Sequence, residues 1–183
     1  MKKALFVIDM QNDFVTGPLG TKEAQAIVPA IIQKIRDAHE NKQQIFFTQD
    51  THLNDYLHTQ EGKMLPVEHC IMSTRGWEVI PELIAEMHPD DWGINKPIFG
   101  VPPEVLNDIL NENECDNIEE YELCGVCTDI CVISNAVILR TLYPESKITV
   151  DIRAVAGTTP ERHKAALEVM KSLQVNIINE EVD

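Results

Sequence analysis

The stretch "KALFVID", residues 3–9, decides the fold class that this sequence predicts. Five consecutive apolar residues stand between a lysine and an aspartate, and such a short continuous run is typical of a strand buried on both faces. Further strands are indicated at 43–50, 90–97, 118–125, 146–155 and 175–179. Helical patterns fill most of the intervals between strands, at 23–42, 77–87, 102–113, 128–144 and 160–173.

Strands that alternate with helices in this way predict an α/β fold, in which a mainly parallel six-stranded sheet is covered by helices on both faces. The resulting architecture is a three-layer α/β/α sandwich. The 183 residues suffice for one domain with a sizeable core and are few for two, so we expect a single domain over residues 1–183. Residues 51–75 show no clear periodicity, and a loop of that length is usually functional or disordered.

The charge and the hydropathy pattern exclude several classes of partner. A formal net charge of −15 repels phosphate backbones, and lysines and arginines do not cluster, so we expect no nucleic-acid partner. No apolar run approaches the length of about 20 residues that a membrane span needs. The N-terminus begins like a signal peptide, but Asp9 ends its apolar run and no small-residue cleavage site follows. We therefore expect a cytoplasmic protein that binds a small molecule or another subunit.

Polar side chains stand where four of the predicted strands end. Asp9 ends the first strand, Asp50 ends the second and is followed by His52, and Lys96 ends the short strand near residue 94. The strand before Gly125 leads into a helix start that contains two cysteines. Ligands of parallel α/β sheets bind beyond the carboxyl ends of the strands. Each residue alone has a structural explanation, such as a turn or a cap, but together they predict a site.

A reactive thiol is expected at Cys131. It lies in the first turn of a predicted helix, where N–H groups and the helix dipole favour the thiolate, and Lys96 would add to this effect. Asp9 is the candidate for moving protons between the thiol, the leaving group and water. The alternative is that Cys131 only packs in the core, which the presence of Asp9 and Lys96 disfavours.

The remaining cysteines do not predict a structural metal site or disulfides. The count of five is odd, and the CxxC spacing of Cys124 and Cys127 lacks the second pair that a zinc ribbon needs. Cys124 lies in an alternating apolar segment and is interpreted as a core thiol. Cys70 and Cys115 have no assigned role.

Five segments resemble the isochorismatase-like cysteine hydrolases and, among them, the nicotinamidases. They occur in the order of that family: "FVIDMQNDF" (6–14), "FFTQDTH" (46–52), "EGKMLPVEHC" (61–70), "INKPIFG" (94–100) and "LCGVCTDICV" (123–132). The catalytic aspartate, lysine and cysteine of the family fall on Asp9, Lys96 and Cys131. This agrees with the nucleophile chosen from its position at a helix start.

The resemblance also implies features that the residues alone do not. It implies an isochorismatase-like hydrolase fold, homo-oligomers such as dimers or tetramers, and a cis peptide bond between Val126 and Cys127. The backbone N–H groups of Cys127 and Cys131 would then form an oxyanion hole. Relatives often have a small uncharged residue at position 127, so the thiol here adds an oxidation liability beside the nucleophile.

A divalent metal site is the second feature that the resemblance implies. Its ligands would be Asp50, His52 and His69, with Glu61 as a fourth that some relatives have. Oxygen and nitrogen ligands suit zinc first, with manganese or iron as alternatives. His58 is a rival candidate for a metal ligand. The spacing from Glu61 to His69 is one residue longer than in the family, which makes Glu61 the least secure of the four predicted ligands.

Phe14 and Trp92 are candidates for stacking on an aromatic substrate, although either could be a core residue. Nicotinamidases commonly have an aromatic residue near the metal-binding histidine, whereas "PVEHC" at 66–70 has none. This departure weakens the prediction that nicotinamide is the substrate, but it does not weaken the prediction of amide hydrolysis.

The resulting hypothesis is a metal-assisted cysteine amidohydrolase of a small aromatic or heteroaromatic amide. Nicotinamide, converted to nicotinate and ammonia through a thioester, is the leading substrate. One alternative is a same-fold hydrolase of another small amide, such as a ureido compound. Another is a non-catalytic metal-binding or ligand-binding protein, which the presence of Asp9, Lys96 and Cys131 disfavours. Isochorismate hydrolysis is disfavoured as the activity, because that vinyl-ether chemistry requires neither the thiol nor the metal ligands.

Overall fold

The computed structural model describes residues 2–112 and 118–180. Six strands form one sheet in the order β3-β2-β1-β4-β5-β6, and every neighbouring pair is parallel. The strands are β1 (Lys3–Ile8), β2 (Gln44–Asp50), β3 (Trp92–Lys96), β4 (Glu120–Val126), β5 (Lys147–Ala156) and β6 (Asn176–Ile178). The predicted six-stranded parallel sheet is confirmed. Cys115 lies outside the described residues.

Eight α-helices connect or precede these strands in the described part of the chain. They are α1 (Asn12–Val15), α2 (Lys22–Ala26), α3 (Val28–Glu40), α4 (Gln60–Met64), α5 (Pro81–Ile84), α6 (Pro103–Glu112), α7 (Ile133–Leu142) and α8 (Pro160–Ser172). None of the helices in residues 2–112 and 118–180 combines the length and the apolar character that a membrane crossing needs.

Three predicted helices differ from the observed ones. The segment 23–42 contains two helices, α2 and α3, and Pro29 lies in the first turn of α3, where no intrahelical N–H bond is lost. The segment 77–87 contains only the single turn of α5. The segment 128–144 begins with a π-helical turn, Thr128–Val132, before α7 starts. This wider turn follows directly from the end of β4.

The core consists of two apolar layers, one on each face of the sheet. Alternate residues of β1 point to opposite layers, as the pleat of a strand requires. Phe6 and Ile8 pack with α6, α7 and α8, whereas Leu5 and Val7 pack with α2, α3 and α5. The three-layer α/β/α architecture is therefore confirmed. It leaves the carboxyl ends of the four strands β3, β2, β1 and β4 side by side at one edge.

Gly125 allows β4 to approach β1 at that edge. Its φ is +110°, and a Cβ at this position would overlap the carbonyl oxygen of Ile8. We expect Gly125→Ala to lower the free energy of unfolding by about 3 kcal/mol or more, because it adds both backbone strain and a clash with backbone. Urea unfolding measures this loss.

Gly93 on β3 provides the matched control for this substitution. A Cβ at Gly93 meets no heavy atom within 4 Å. Gly93→Ala should therefore change the free energy of unfolding by less than about 1 kcal/mol. Equal effects of the two substitutions would show that the close approach of β4 to β1 at Gly125 does not affect the free energy of unfolding.

Candidate active site

Asp9 follows β1 directly and is completely buried. Its backbone is left-handed, with a φ of +50°. Its N–H donates to the Thr48 carbonyl at 3.1 Å, and its Oδ1 accepts a hydrogen bond from the Thr48 hydroxyl at 2.7 Å. Aspartate is one of the few residue types that adopts this backbone conformation readily. The turn after β1 thus directs the Asp9 side chain towards the ends of the neighbouring strands.

Lys96 lies at the end of β3 and connects the other groups at this edge. Its ammonium is fully buried and lies 2.7 Å from Asp9 Oδ2, 3.4 Å from Asp50 Oδ1 and 3.7 Å from Cys131 Sγ. It also donates to the carbonyl of Ile98 at 3.2 Å. A buried ammonium is stable only when acidic groups surround it, and here two carboxylates and a thiol do so.

Cys131 lies in the π-helical turn that follows β4. The peptide bond between Val126 and Cys127 is cis. The Cys127 carbonyl accepts hydrogen bonds from the N–H groups of Ile130 at 3.0 Å and Val132 at 3.1 Å. These bonds close the turn around Cys131 and keep it within the first turn of the helical segment, where N–H groups have few intrahelical partners.

Burial and the neighbouring charges shift the pKa values of this cluster in opposite directions. Burial raises the pKa of the Cys131 thiol well above its ordinary value, and Asp9 raises it further, against the effect of Lys96. Burial also raises the pKa of Asp9, although Lys96 lowers it. For Lys96, burial would lower the pKa, but the acidic neighbours, with Asp9 first, outweigh burial and raise it. The ammonium therefore stays charged, and the thiol keeps its proton until a base takes it.

Two contacts hold the turn that bears Cys131, one to α8 and one to the segment between β5 and α8. The Thr128 hydroxyl is 2.9 Å from His163 Nδ1, and the Asp129 carboxylate accepts hydrogen bonds from the Thr158 N–H at 2.8 Å and the Thr158 hydroxyl at 2.5 Å. Sequence reasoning missed both contacts, because their partners are 35 and 29 residues apart.

Beside this cluster, the structure brings Asp50, His52, Glu61 and His69 together. One ligand atom from each lies within 4.8 Å of all the others. His52 Nε2 is 2.9 Å and His69 Nε2 is 3.5 Å from Asp50 Oδ2, and the same two nitrogens are 3.8 and 3.9 Å from Glu61 Oε1. The rival ligand His58 is exposed and is not part of this group.

The donor atoms of these residues fit a divalent metal ion. His69 Nδ1 lies 2.8 Å from the Val67 carbonyl, which can only accept a hydrogen bond, so Nδ1 carries a hydrogen and Nε2 is the nitrogen that the neutral ring offers to a metal. His52 Nε2 is buried and has no hydrogen-bond partner among the described residues, although it lies close to Asp50. Two imidazole lone pairs and two carboxylates that face a common centre are a donor set that zinc, manganese or iron accepts.

Two further residues at this edge were missed from the sequence. Gln11 is buried, donates to the carbonyls of Asp50 and Trp77 at 2.8 Å, and accepts a hydrogen bond from the Asp50 N–H at 2.7 Å. The ring of Tyr56 lies 4.6 Å from that of His52. The segment "MQNDF" contained the signal for Gln11, since a polar residue follows the end of a buried strand there.

The two residues predicted to stack on a substrate have different positions. The Phe14 ring lies 5.4 Å from the ring of His69, beside the metal-ligand group. Trp92 begins β3, pairs with Phe46 in the sheet, and is 41% exposed. It precedes Lys96 by four residues, roughly 13 Å along a strand, so the structure does not bring Trp92 to the site.

Comparison with known proteins agrees with this geometry. The sequence matches the isochorismatase domain over residues 3–181. The chain belongs to the isochorismatase family. An uncharacterized isochorismatase family protein of Bacillus subtilis is 32% identical over 180 residues, which cover 91% of this chain and 93% of that protein.

Solved structures of the family have the same fold. The pyrazinamidase of Pyrococcus horikoshii, in complex with zinc, has a TM-score of 0.84 at 28% identity and covers 98% of this chain and 100% of that chain. The pyrazinamidase/nicotinamidase of Streptococcus mutans has a TM-score of 0.82 at 31% identity, with coverage of 97% and 100%. The predicted family and fold are confirmed.

Proposed function

We propose that this protein is a metal-assisted cysteine amidohydrolase that converts nicotinamide to nicotinate and ammonia. One observation carries the proposal: the Lys96 ammonium contacts Asp9, Cys131 and Asp50, and so joins a thiol and a carboxylate to a group of metal ligands. The names of the Streptococcus mutans and Pyrococcus horikoshii enzymes support an amide on a nitrogen heterocycle as substrate.

In the first half of the reaction Cys131 acts as the nucleophile. The Sγ–H bond breaks, Asp9 takes the proton, and the sulfur attacks the carbonyl carbon of the amide. The negative charge moves to the carbonyl oxygen, which the N–H groups of Cys127 and Cys131 stabilise. Lys96 keeps its charge next to Asp9 and Cys131, which favours the anionic form of whichever partner has lost its proton.

In the second half the amide nitrogen leaves and water replaces it. Asp9 returns its proton to the nitrogen, the C–N bond breaks, and ammonia departs from a thioester on Cys131. Asp9 then takes a proton from water, whose oxygen attacks the thioester carbon. The C–S bond breaks, the acid leaves, and the thiol regains its proton. No redox cofactor takes part in these steps.

Asp50, His52, Glu61 and His69 would hold the divalent metal, with zinc as the leading choice and manganese or iron as alternatives. A bound ion there supplies a Lewis acid that fixes a ring nitrogen of the substrate. Phe14, adjacent to His69, is positioned to contact a bound ring. The proposal also includes a cytoplasmic homo-oligomer, a dimer or tetramer, without nucleic-acid or membrane partners.

The proposal is tested by measuring ammonia release from a panel of small amides with the purified, metal-loaded protein. Nicotinamide should be turned over, with pyrazinamide as a second heteroaromatic amide. Turnover of a ureido amide instead would keep the chemistry and replace the substrate, an outcome consistent with the missing aromatic residue at 66–70. Ligand binding without turnover of any amide would favour a non-catalytic protein.

Removal of the metal should raise KM for nicotinamide at least about tenfold or stop turnover, because the ring loses its anchor. The protein is treated with a chelator, dialysed and assayed, and zinc, manganese or iron is then added back. Recovery with one of these ions is the expected result. Unchanged kinetics after verified metal loss would remove the metal from the proposal.

The histidines allow a matched comparison of metal content. His69→Ala removes a buried donor of the cluster, whereas His58→Ala removes an exposed histidine in the same loop. We expect the bound metal, measured by elemental analysis, to be lost in His69→Ala and retained in His58→Ala. The opposite pattern would make His58 the ligand.

A further inference from the structure

The Thr48 hydroxyl makes two hydrogen bonds to one residue of the catalytic cluster, Asp9. It lies on β2, is 1% exposed, and its register partner on β1 is Ile8, the residue before Asp9. Its hydroxyl donates to Asp9 Oδ1 at 2.7 Å and accepts from the Asp9 N–H at 3.2 Å. A threonine hydroxyl has one hydrogen to donate, so that donor is fully used by the carboxylate.

The backbone of Asp9 depends on the same neighbour. Its φ of +50° turns the chain out of β1, and its N–H is shared between the carbonyl and the hydroxyl of Thr48. A side chain without a hydroxyl at position 48 could neither donate a hydrogen bond to the Asp9 carboxylate nor accept one from the Asp9 N–H. Thr48 therefore restrains Asp9 at both its backbone and its side chain.

The two oxygens of the carboxylate are thereby made unequal. Oδ1 is occupied by Thr48, whereas Oδ2 lies 2.7 Å from Lys96 Nζ as an ion pair. Within residues 2–112 and 118–180, Oδ2 is buried and receives no hydrogen bond of good geometry. Oδ2, which does not bond to Thr48, is thus the oxygen that faces Lys96, whose ammonium also lies 3.7 Å from the sulfur of Cys131.

We infer that Thr48 is a positioning residue that fixes the Asp9 carboxylate so that Oδ2 exchanges protons with Cys131 and with the departing amine. The inference rests on the proposed function. In the first transfer the Sγ–H bond breaks, an O–H bond forms on Oδ2, and the electron pair stays on sulfur. Without the Thr48 hydroxyl, Asp9 can rotate about its side-chain bonds and present either oxygen, or neither, to the sulfur.

Three substitutions separate this role from a structural one. Thr48→Val keeps the shape and removes the hydroxyl, whereas Thr48→Ser keeps the hydroxyl. Thr149→Val is the matched control, because Thr149 is also a buried strand threonine that donates to a carboxylate, that of Glu120 at 2.6 Å, outside the site. Thr48→Ala removes the hydroxyl with less bulk and replaces Thr48→Val if that variant does not fold.

Thr48→Val should lower kcat by about 10- to 100-fold, because a misplaced catalytic group costs about that much. KM should stay within about twofold, since substrate binding does not use Thr48. Thr48→Ser and Thr149→Val should stay within about threefold of the wild-type kcat. Metal content should be equal in all variants. An unchanged kcat in Thr48→Val, or an equal fall in Thr149→Val, overturns the inference.

Crystal structures of Thr48→Val and Thr48→Ser provide a readout that does not depend on turnover. The Asp9 carboxylate should be rotated or in several orientations in the valine variant and unchanged in the serine variant. If the wild-type protein hydrolyses no amide, the proposed function fails, yet this comparison still decides whether Thr48 holds Asp9. An unmoved carboxylate in Thr48→Val overturns the inference in either case.

Discussion

Replacement of Cys131 by alanine should lower kcat for nicotinamide hydrolysis by about four to six orders of magnitude, the loss typical of removing a covalent nucleophile. Without Sγ no thioester can form. Asp9 and Lys96 remain in place, but the geometry around them was built for a sulfur 3.7 Å from Lys96 Nζ. Ammonia release, followed over hours at high enzyme concentration, measures the residual rate.

Cys124→Ala is the control for the loss of a buried thiol. Cys124 lies in β4, its sulfur contacts the Phe6 carbonyl at 3.5 Å, and it is completely buried. We expect this variant to lose some stability while its kcat stays within about threefold of wild type.

Cys131→Ala should still bind nicotinate in a calorimetric titration. Turnover in Cys131→Ala within about tenfold of wild type would mean that another group attacks the amide.

The fold was predictable because short continuous apolar runs alternate with helical patterns, which is typical of a parallel sheet covered by helices on both faces. The apolar run of 3–9, and others like it, indicated six strands, and the sheet contains six. Helix lengths were less predictable. The segment 77–87 has helical spacing, yet only Pro81–Ile84 is helical, since α5 is a single turn under α3 rather than a crossover helix.

Part of the site was predictable from the rule that parallel strands end at a common edge. The rule placed Asp9, Lys96 and Cys131 near each other, and the structure brings them together. The rule did not identify Thr48. A threonine two residues before a strand end looks like any strand residue, and only the register Ile8↔Thr48 sets it beside Asp9.

Trp92 shows the opposite case, in which the sequence contained the signal. Within a strand, residues four apart are separated by roughly 13 Å. Once Lys96 is assigned to the carboxyl end of β3, Trp92 must lie towards the amino end, where the structure has it. A residue's distance from the strand end therefore deserves the same weight as its chemical type when a site is assigned.

Asp9→Asn should lower kcat by about three to four orders of magnitude, because an amide cannot exchange protons with the thiol, the amine or water. The substitution preserves shape, and an asparagine oxygen can still accept the hydrogen bond from Thr48. Lys96 keeps Asp50 as a partner at 3.4 Å, so the ammonium is not left without a counter-charge. The loss should therefore fall on the chemistry rather than on the fold, with circular dichroism unchanged.

The same variant should make Cys131 ionise more easily while it stops turnover. Burial and Asp9 both raise the pKa of Cys131, whereas Lys96 lowers it. Asparagine removes the contribution of Asp9 and leaves that of Lys96, so the pKa of Cys131 falls and the thiolate forms at lower pH. Alkylation of Cys131 by iodoacetamide, mapped by mass spectrometry against pH, should show a midpoint shifted to lower pH.

This separation of thiol reactivity from turnover distinguishes two roles for Asp9. If Asp9 served only to generate the thiolate, a variant with a more readily ionised Cys131 would retain much of its activity at alkaline pH. If Asp9 also delivers the proton that ammonia takes away, activity stays low at every pH although the sulfur reacts with iodoacetamide. The second result is the one expected. An alkylation midpoint that is unchanged or moves to higher pH would contradict the charge balance among Asp9, Lys96 and Cys131 on which the mechanism depends.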